Sequence, residues 1–326
     1  MTLSEVAAAD LASGLLGLDR CRAWRFGAGK FSEVFAVTTG RSGEEYILRV
    51  APPDSVRQLF YEYRMMRQEP AIHRRLLAET KVPVPPILAV DFTREHLDRD
   101  FLIMSRLPGI PLSEAALSRD AQASALRQWG HWVRQIHGIL ATGGRFGYLG
   151  EHQCMTPQAT WPEAFAVMYR KLLDDIVACG VYDRPVADAA MALLEQHLPV
   201  FDACTTSHLC HGDLWVTNLL VDADGDVTGL LDFDRACWGD VEWDLAIAEY
   251  CNITREPFWE GYGGHVETHS GEAAVRRFFY LLYEHQKYIV ISMSTRRNSP
   301  TGARRYATES LNAMAAFRQT GNPVFP

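Results

Sequence analysis

Short-spaced cysteine pairs are missing from this chain. Its seven cysteines, at positions 21, 154, 179, 204, 210, 237 and 251, are odd in number and scattered, with no Cys-x-x-Cys. In a chain this long that pattern reads as reduced thiols in the cytoplasm rather than a disulfide framework. No window approaches the roughly eighteen apolar residues of a membrane span. The N-terminal Met1-Thr2-Leu3-Ser4-Glu5-Val6 has neither the basic region nor the apolar run of a signal peptide. Basic charge is in short supply as well. Lys and Arg number 32 against 40 Asp and Glu, a formal net charge of −8, which argues against a general nucleic-acid-binding face. Neither common nucleotide-binding fingerprint is present. A Walker A loop needs Gly where Trp24 stands and Ser or Thr where Phe31 stands. A Rossmann turn needs a following helix, whereas Glu33-Val34-Phe35-Ala36-Val37 reads as a strand. There is no internal repeat and no low-complexity linker.

What is present suits a globular protein with ample core: 326 residues, 48% hydrophobic and 22% charged, enough for one large domain or two lobes. One stretch organises the rest. His211-Gly212-Asp213-Leu214-Trp215-Val216-Thr217-Asn218 is followed by Leu231-Asp232-Phe233-Asp234. Between them, two short apolar runs flank the turn-forming Asp222-Ala223-Asp224-Gly225-Asp226, which predicts an antiparallel hairpin. Such a hairpin brings Asn218 and Asp232 to the same end, with Asp213 in the loop just before. Two facing oxygen ligands suit Mg²⁺ shared with substrate phosphates. A further carboxylate beside them suits a base for a hydroxyl proton. The Asp-x-x-x-x-Asn spacing is that of the kinase catalytic loop. Turn-capping alone explains any one of these residues but not the ordered set.

With Gly239-Asp240 and Asp244-Leu245-Ala246 downstream, this sequence resembles the aminoglycoside phosphotransferase and choline kinase-like family, and Trp215 is similar to the fructosamine-kinase branch. The resemblance implies an α+β, bilobal protein-kinase-like fold. A small N-terminal antiparallel-sheet lobe (1–107) would bind nucleotide, and a larger, mainly helical C-terminal lobe (108–326) would carry catalysis and the acceptor. It implies ATP and Mg²⁺ as cofactors and a small-molecule hydroxyl acceptor as partner, with no nucleic acid or membrane. Asp213 would be the catalytic base, and Asn218 and Asp232 the metal ligands. His211 and Asp240 would brace the loop or touch substrate.

The upstream chain supplies the nucleotide side of that expectation. Gly27, Gly29 and Ser32 sit in a turn between two strands, where close backbone approach would cover phosphates. Arg49, on the strand 46–50, falls where kinases carry the phosphate-binding Lys, and an Arg there grips phosphate as a planar fork. Residues 55–77 read as a helix divided at Pro70, and by the resemblance Glu62 within it pairs with Arg49. Met104, Ser105 and Leu107, at the end of an apolar strand running into Pro108-Gly109, match the family's adenine-binding hinge.

Helices are expected at 1–20, over much of 113–204, at 161–177 and 186–198, and at 272–292. Leu126, Trp129, Val133, Ile136 and Leu140 form one buried stripe, with His137 structural. Asp240 also stands where a helix N-cap would. The acceptor stays open. Asp240, Glu242, Glu249, Glu260 and Glu267 suit ammonium groups, whereas Trp243, Trp259, Tyr250 and Tyr262 suit an aromatic site. Trp215 tilts the reading toward an amino-sugar or sugar-like molecule. Two rivals stand beside it: a pseudokinase that binds nucleotide or a partner without transfer, and a metal hydrolase built on His208, His211 and Asp213.

Overall fold

The computed structural model describes residues 2–18, 20–26, 32–39, 43–56, 58–294 and 297–325. Helix α1 (Glu5–Leu16) starts where the Ser4 side chain accepts the Ala7 N–H and stops at Gly17. Five strands follow: β1 (Cys21–Arg25), β2 (Glu33–Thr39), β3 (Glu45–Val50), β4 (Ile87–Asp91) and β5 (Phe101–Ser105). They form one antiparallel sheet in the order β1-β2-β3-β5-β4. Alternate residues Phe35, Val37, Leu48, Val50, Phe101 and Ile103 point to one face and pack with Ala8 and Ala12 of α1. On the other face Leu102 and Met104 pack with Met66.

The segment between β3 and β4 departs from the long helix expected over 55–77. After Pro52-Pro53 the chain runs in turns, Arg64 takes a left-handed conformation (φ 58°), and only a 3-10 turn (Met65–Gln68) leads into α2 (Glu69–Glu79). Pro70 therefore opens the helix rather than dividing it. In the first turn its missing N–H costs nothing and its fixed φ suits helix entry.

The chain leaves the five-stranded sheet over residues 106–109, because β6 (Ile110–Pro111) already pairs with β8 (Leu219–Val221). Helix α3 (Arg119–His137) buries Leu126, Trp129, Val133 and Ile136 as expected. Leu140 is not part of that stripe. The helix ends at His137, and Leu140, beyond it, is 48% exposed while Ile139 is buried. Next come α4 (Trp161–Ala178), entered by a capping box between Thr160 and Glu163, and α5 (Arg184–Glu195).

Strand β7 (His208–Cys210) pairs with β10 (Cys237–Gly239). Between them β8 (Leu219–Val221) and β9 (Val227–Leu230) form the expected hairpin, with Leu219 opposite Leu230. The Asp222 carboxylate closes its turn by accepting the N–H groups of Asp224 and Asp226. Helices α6 (Val241–Tyr250), α7 (Glu256–Tyr262), α8 (Gly271–Met293) and α9 (Pro300–Thr320) complete the chain.

The result is the two-lobed α+β arrangement expected, a small antiparallel sheet joined to a larger helical part. Helix α3 lies on α7 at a distance only glycine allows: a Cβ on Gly130 would sit 2.0 Å from the Phe258 carbonyl, and one on Gly261 1.8 Å from that of Arg127. This close approach sets His137 against Tyr262. All seven cysteines are free thiols. No helix among the described residues is long and apolar enough to cross a membrane.

The lobes are also stitched by Asp175 of α4, whose Oδ2 accepts the Phe60 N–H at 2.8 Å. Burial, with smaller contributions from Asp174 and Glu62, outweighs that bond and raises its pKa to about 6. A carboxylate raised above its unfolded value favours the folded state below the unfolded pKa, and that advantage is lost as pH rises through the folded one. Asp175→Asn has no such linkage. Its Tm relative to wild type is therefore expected to climb between pH 4 and pH 7 (about the window set by the two pKa values). A Tm difference independent of pH would contradict this.

Candidate active site

The site lies between the hairpin β8–β9 and the sheet. Asp213 follows β7 in a loop whose shape is fixed from below by Asp244 of α6. Asp244 is fully buried. Its Oδ2 accepts the His211 N–H at 2.7 Å and its Oδ1 the Gly212 N–H at 2.9 Å. His137 lies 3.1 Å from Oδ2 through Nε2 and 2.9 Å from the Tyr262 hydroxyl through Nδ1. Burial opposes ionisation of Asp244, but His137, His211 and the Gly212 N–H together hold its pKa below the usual carboxylate value. Gly212 has φ 77°, and a Cβ there would meet the Arg235 carbonyl at 2.4 Å, so the loop turns where only glycine fits.

His211 turns its ring inward. Nε2 lies 3.0 Å from the Leu231 carbonyl and Nδ1 accepts the Asp213 N–H at 3.2 Å. It braces the loop and does not face the cleft. His208 is tied elsewhere, to the His137 carbonyl at 2.7 Å. The set His208, His211 and Asp213 proposed for a hydrolase therefore does not converge on one point.

Asp213 itself is held from two sides. Asn218 Nδ2 donates to its Oδ2 at 3.1 Å and to its backbone carbonyl at 2.9 Å, and Arg235 Nη1 lies 3.5 Å from Oδ1. Burial pushes the Asp213 carboxyl up, yet Arg235, Lys287, His211 and the Asn218 amide together bring it below the ordinary value. The group is an anion at neutral pH.

Asn218 spends its amide hydrogens on Asp213, which leaves its carbonyl oxygen for another partner. It stands beside Leu231, whose N–H donates to the Asn218 backbone carbonyl at 2.9 Å, and Asp232 is the next residue. The hairpin thus brings the two together as its sequence implied. Asp232 has φ 71° and ψ 59°, a left-handed conformation that costs a non-glycine residue energy and that Asp tolerates better than most.

Arg49 reaches across from β3. Its Nη1 pairs with Glu69 at 2.7 and 2.9 Å, and its Nη2 with Asp232 at 3.0 Å and Asp234 at 2.9 Å. One guanidinium is shared by three carboxylates. Burial and the neighbouring acids raise Glu69 to about 7 and push Asp234 well up. Glu69, Asp232 and Asp234 form a cluster of oxygen donors within 4.8 Å of one another. Three carboxyl groups crowded around one fixed cation are an oxygen-donor set of the kind a hard divalent metal takes.

Glu62 is not the partner of Arg49. The turns at 58–64 place it against Arg235, 2.9 Å from Nη2, and Glu69 at the start of α2 takes the place the resemblance gave it. Asp240 is the N-cap of α6: Oδ1 accepts the Glu242 N–H at 3.0 Å and Oδ2 the Tyr280 hydroxyl at 2.6 Å. The bracing expected of it falls to Asp244.

Gly27 and Gly29 lie outside the described residues. Ser32 is buried and lines a small cavity with Glu62 and Asp234. At the lobe junction Met104 is buried in β5 and the Ser105 N–H donates to the Pro86 carbonyl at 3.0 Å. Leu107 rests on Gly229, where a Cβ would come within 2.8 Å of its Cδ1. Thr228 Oγ1 donates to the Pro108 carbonyl at 2.6 Å, so the junction leans directly on the hairpin.

With this geometry in view, the chain matches a family model described as the phosphotransferase enzyme family over residues 24–279. That span includes β2 to β5, the junction, and Arg49, Glu69, Asp213, Asn218 and Asp232. The chain belongs to the phosphotransferase enzyme family. Among this phosphotransferase's relatives is a probable ketoamine kinase of Vibrio parahaemolyticus, 26% identical over 250 residues, covering 73% of this chain and 76% of that one. Another is the hygromycin-B 4-O-kinase of Escherichia coli, 26% identical over 226 residues, 67% and 59% of the two chains. Among solved structures, aminoglycoside phosphotransferase APH(4)-Ia superposes with a TM-score of 0.66 at 20% identity, covering 96% and 99% of the two chains. A putative fructosamine-3-kinase from Thermobifida fusca gives 0.62 at 22% identity, covering 94% and 98%. The solved structures establish the protein-kinase-like fold.

Proposed function

We propose that this phosphotransferase moves the γ-phosphate of ATP to a hydroxyl of a sugar-like small molecule, with a ketoamine as the favoured acceptor. The observation that carries the reading is the convergence of an ionised Asp213 with Asn218, Asp232 and Arg49 in one cleft. Asp213 faces the acceptor, orients its O–H and receives its proton. With its pKa held low it is a weak base, and that suffices where the transition state is loose and positioning does most of the work. Asp232 and Asn218 would hold Mg²⁺, which when bound neutralises charge on the nucleotide phosphates. Glu69 keeps Arg49 in place beside them. Met104 to Leu107 form the wall for the adenine, and Ser32 lies on the phosphate side. APH(4)-Ia has been solved with AMP-PNP and hygromycin B, which supports a nucleotide and a small acceptor meeting in this fold.

The acceptor preference follows from charge. The acids considered as receptors for ammonium groups are all engaged within the protein. Asp240 caps α6, Glu242 and Glu249 form two-bonded pairs with Arg276 and Arg277, Glu260 pairs with Arg127, and Glu267 accepts the His269 N–H. Much of the negative charge that would attract a polycationic aminoglycoside is already balanced by these arginines. Trp215, two residues past Asp213, is 36% exposed, and Tyr250 at the end of α6 is 47% exposed. Stacking faces of this kind suit a sugar ring carrying at most one amine. Relatives named as probable ketoamine kinases support the same choice.

The nucleotide half of the proposal is tested without any acceptor. Saturating Mg·ATP is expected to raise the Tm of the wild type by several degrees through selective binding to the folded state. The shift is expected to disappear in Asp232→Ala and to shrink in Glu69→Gln. A shift retained in full by Asp232→Ala would contradict the assignment.

A further inference from the structure

Glu62 has no role in the reaction as described, yet it is buried and pairs with the half-buried Arg235, which stands beside Asp213. Glu62 is 5% exposed, and such a carboxylate persists only where its oxygens are satisfied. Here Oε2 accepts the Leu59 N–H at 3.0 Å and Oε1 the Arg235 Nη2 at 2.9 Å. The other end of the same guanidinium, Nη1, stands 3.5 Å from Asp213 Oδ1. That separation is the outer edge of a hydrogen bond, so the link to Asp213 is chiefly one of charge and orientation. The backbone beneath Arg235 is clamped. Gln68 Nε2 donates to the carbonyls of Asp234 and Ala236 at 2.5 and 3.1 Å, and Gly212 approaches the Arg235 carbonyl too closely for any side chain. Only the guanidinium end has freedom, and Glu62 removes it.

We propose that Glu62 is a positioning residue for Asp213, acting through Arg235 from the N-terminal lobe. The inference rests on the reading of Asp213 as the acceptor-facing base. It divides the two glutamates of this segment by function: Glu69 serves the nucleotide end through Arg49, and Glu62 serves the acceptor end through Arg235. The other charged and titratable groups that bear on Asp213 belong to the C-terminal lobe: Lys287, Glu284 and Tyr288 of α8, His211 in the loop, and Cys251 after α6. Lys287 is paired with Glu284 on its own helix, so that charge travels with α8. Glu62 arrives from the turns at 58–64, and the seating of the first lobe is therefore read out at the base that receives the acceptor.

The test uses the full chain with Mg·ATP and fructosyl-lysine as the probe acceptor. Glu62→Gln, which keeps size and a hydrogen-bonding oxygen, is expected to lower kcat about ten- to a hundredfold with KM for ATP within about twofold. Arg235→Met is expected to lose at least as much, Arg235→Lys to recover part of it, and Glu62→Gln/Arg235→Met to be no worse than Arg235→Met alone. Losses that add in the double variant, or a rise in the KM for ATP with kcat unchanged, would overturn the proposal. Silence of the wild type on this acceptor would count against the acceptor reading. The positioning claim is then decided by urea unfolding of Glu62→Gln, Asp213→Asn and their double variant, with and without Arg235→Met. Coupling between positions 62 and 213 of at least about threefold in the unfolding equilibrium constant, abolished by Arg235→Met, is expected. Additive effects in both backgrounds would refute it.

Discussion

Asp213→Asn is expected to lower acceptor-dependent turnover by about two to four powers of ten, with KM for ATP changed only a few-fold. The substitution keeps the size and shape of the side chain and leaves an oxygen for the Asn218 amide, which now donates to Asp213 Oδ2 at 3.1 Å. What it removes is the negative charge that Arg235, Lys287 and His211 stabilise against the cost of burial. An amide cannot take the acceptor's proton, and it presents a donor where the acceptor hydroxyl needs an oxygen to point at. The nucleotide contacts proposed above lie elsewhere, on Asp232, Arg49 and the sheet, so the loss should fall on kcat. Steady-state ADP release at saturating ATP checks this. Turnover within tenfold of wild type would remove Asp213 from the reaction.

Asp244→Ala carries the largest expected cost in stability. Both oxygens of this buried carboxylate are occupied by the backbone of the catalytic loop, and His137 adds a third contact. Truncation strands two buried N–H groups and a histidine whose remaining partner is the Tyr262 hydroxyl. Removing one member of a buried, hydrogen-bonded ionic network costs about 3–5 kcal/mol. Asp244→Asn should be milder, because one oxygen remains to accept one of the two N–H groups. Urea unfolding measures both, and the order wild type, Asn, Ala is the expected one. The same variants should lose activity beyond their loss of folded protein, since the loop that presents Asp213 would no longer be fixed. Wild-type stability in Asp244→Ala would show that water or a neighbour replaces the brace.

The catalytic hairpin was legible from sequence because its parts are local. The turn 222–226 and its two short apolar runs dictate an antiparallel pair, and pairing alone places Asn218 beside Asp232. Individual strands followed from their apolar runs and alternation, their assembly into a sheet lobe from the family resemblance, and most helices from their apolar period. Long-range ion pairs were not legible in this way. Arg49 meets Glu69 rather than Glu62 because the chain after Pro52-Pro53 does not become helix until Met65, which turns Glu62 toward the other lobe. A signal for this was present: Pro70 is better placed to open a helix than to interrupt one, which puts Glu69 in its first turn. Asp234 and Arg235 carried no local signal, since their partners Arg49 and Glu62 are far away in sequence. Asp240 and Asp244 are both part of the motif; the N-cap position of Asp240 was legible ahead of its helix, whereas only the fold shows that Asp244 holds the loop. Leu140 was misplaced by one turn because α3 stops at His137, which a purely periodic reading cannot see.

Transfer of phosphate from Mg·ATP to a small hydroxyl acceptor in this cleft is tested most directly by ADP release in the presence of fructosyl-lysine, other ketoamines and a set of aminoglycosides, with Asp213→Asn alongside. ADP formation is expected to depend on the ketoamine, to exceed that with any aminoglycoside, and to vanish in the variant. ADP release indifferent to every acceptor, or undiminished in Asp213→Asn, would contradict it.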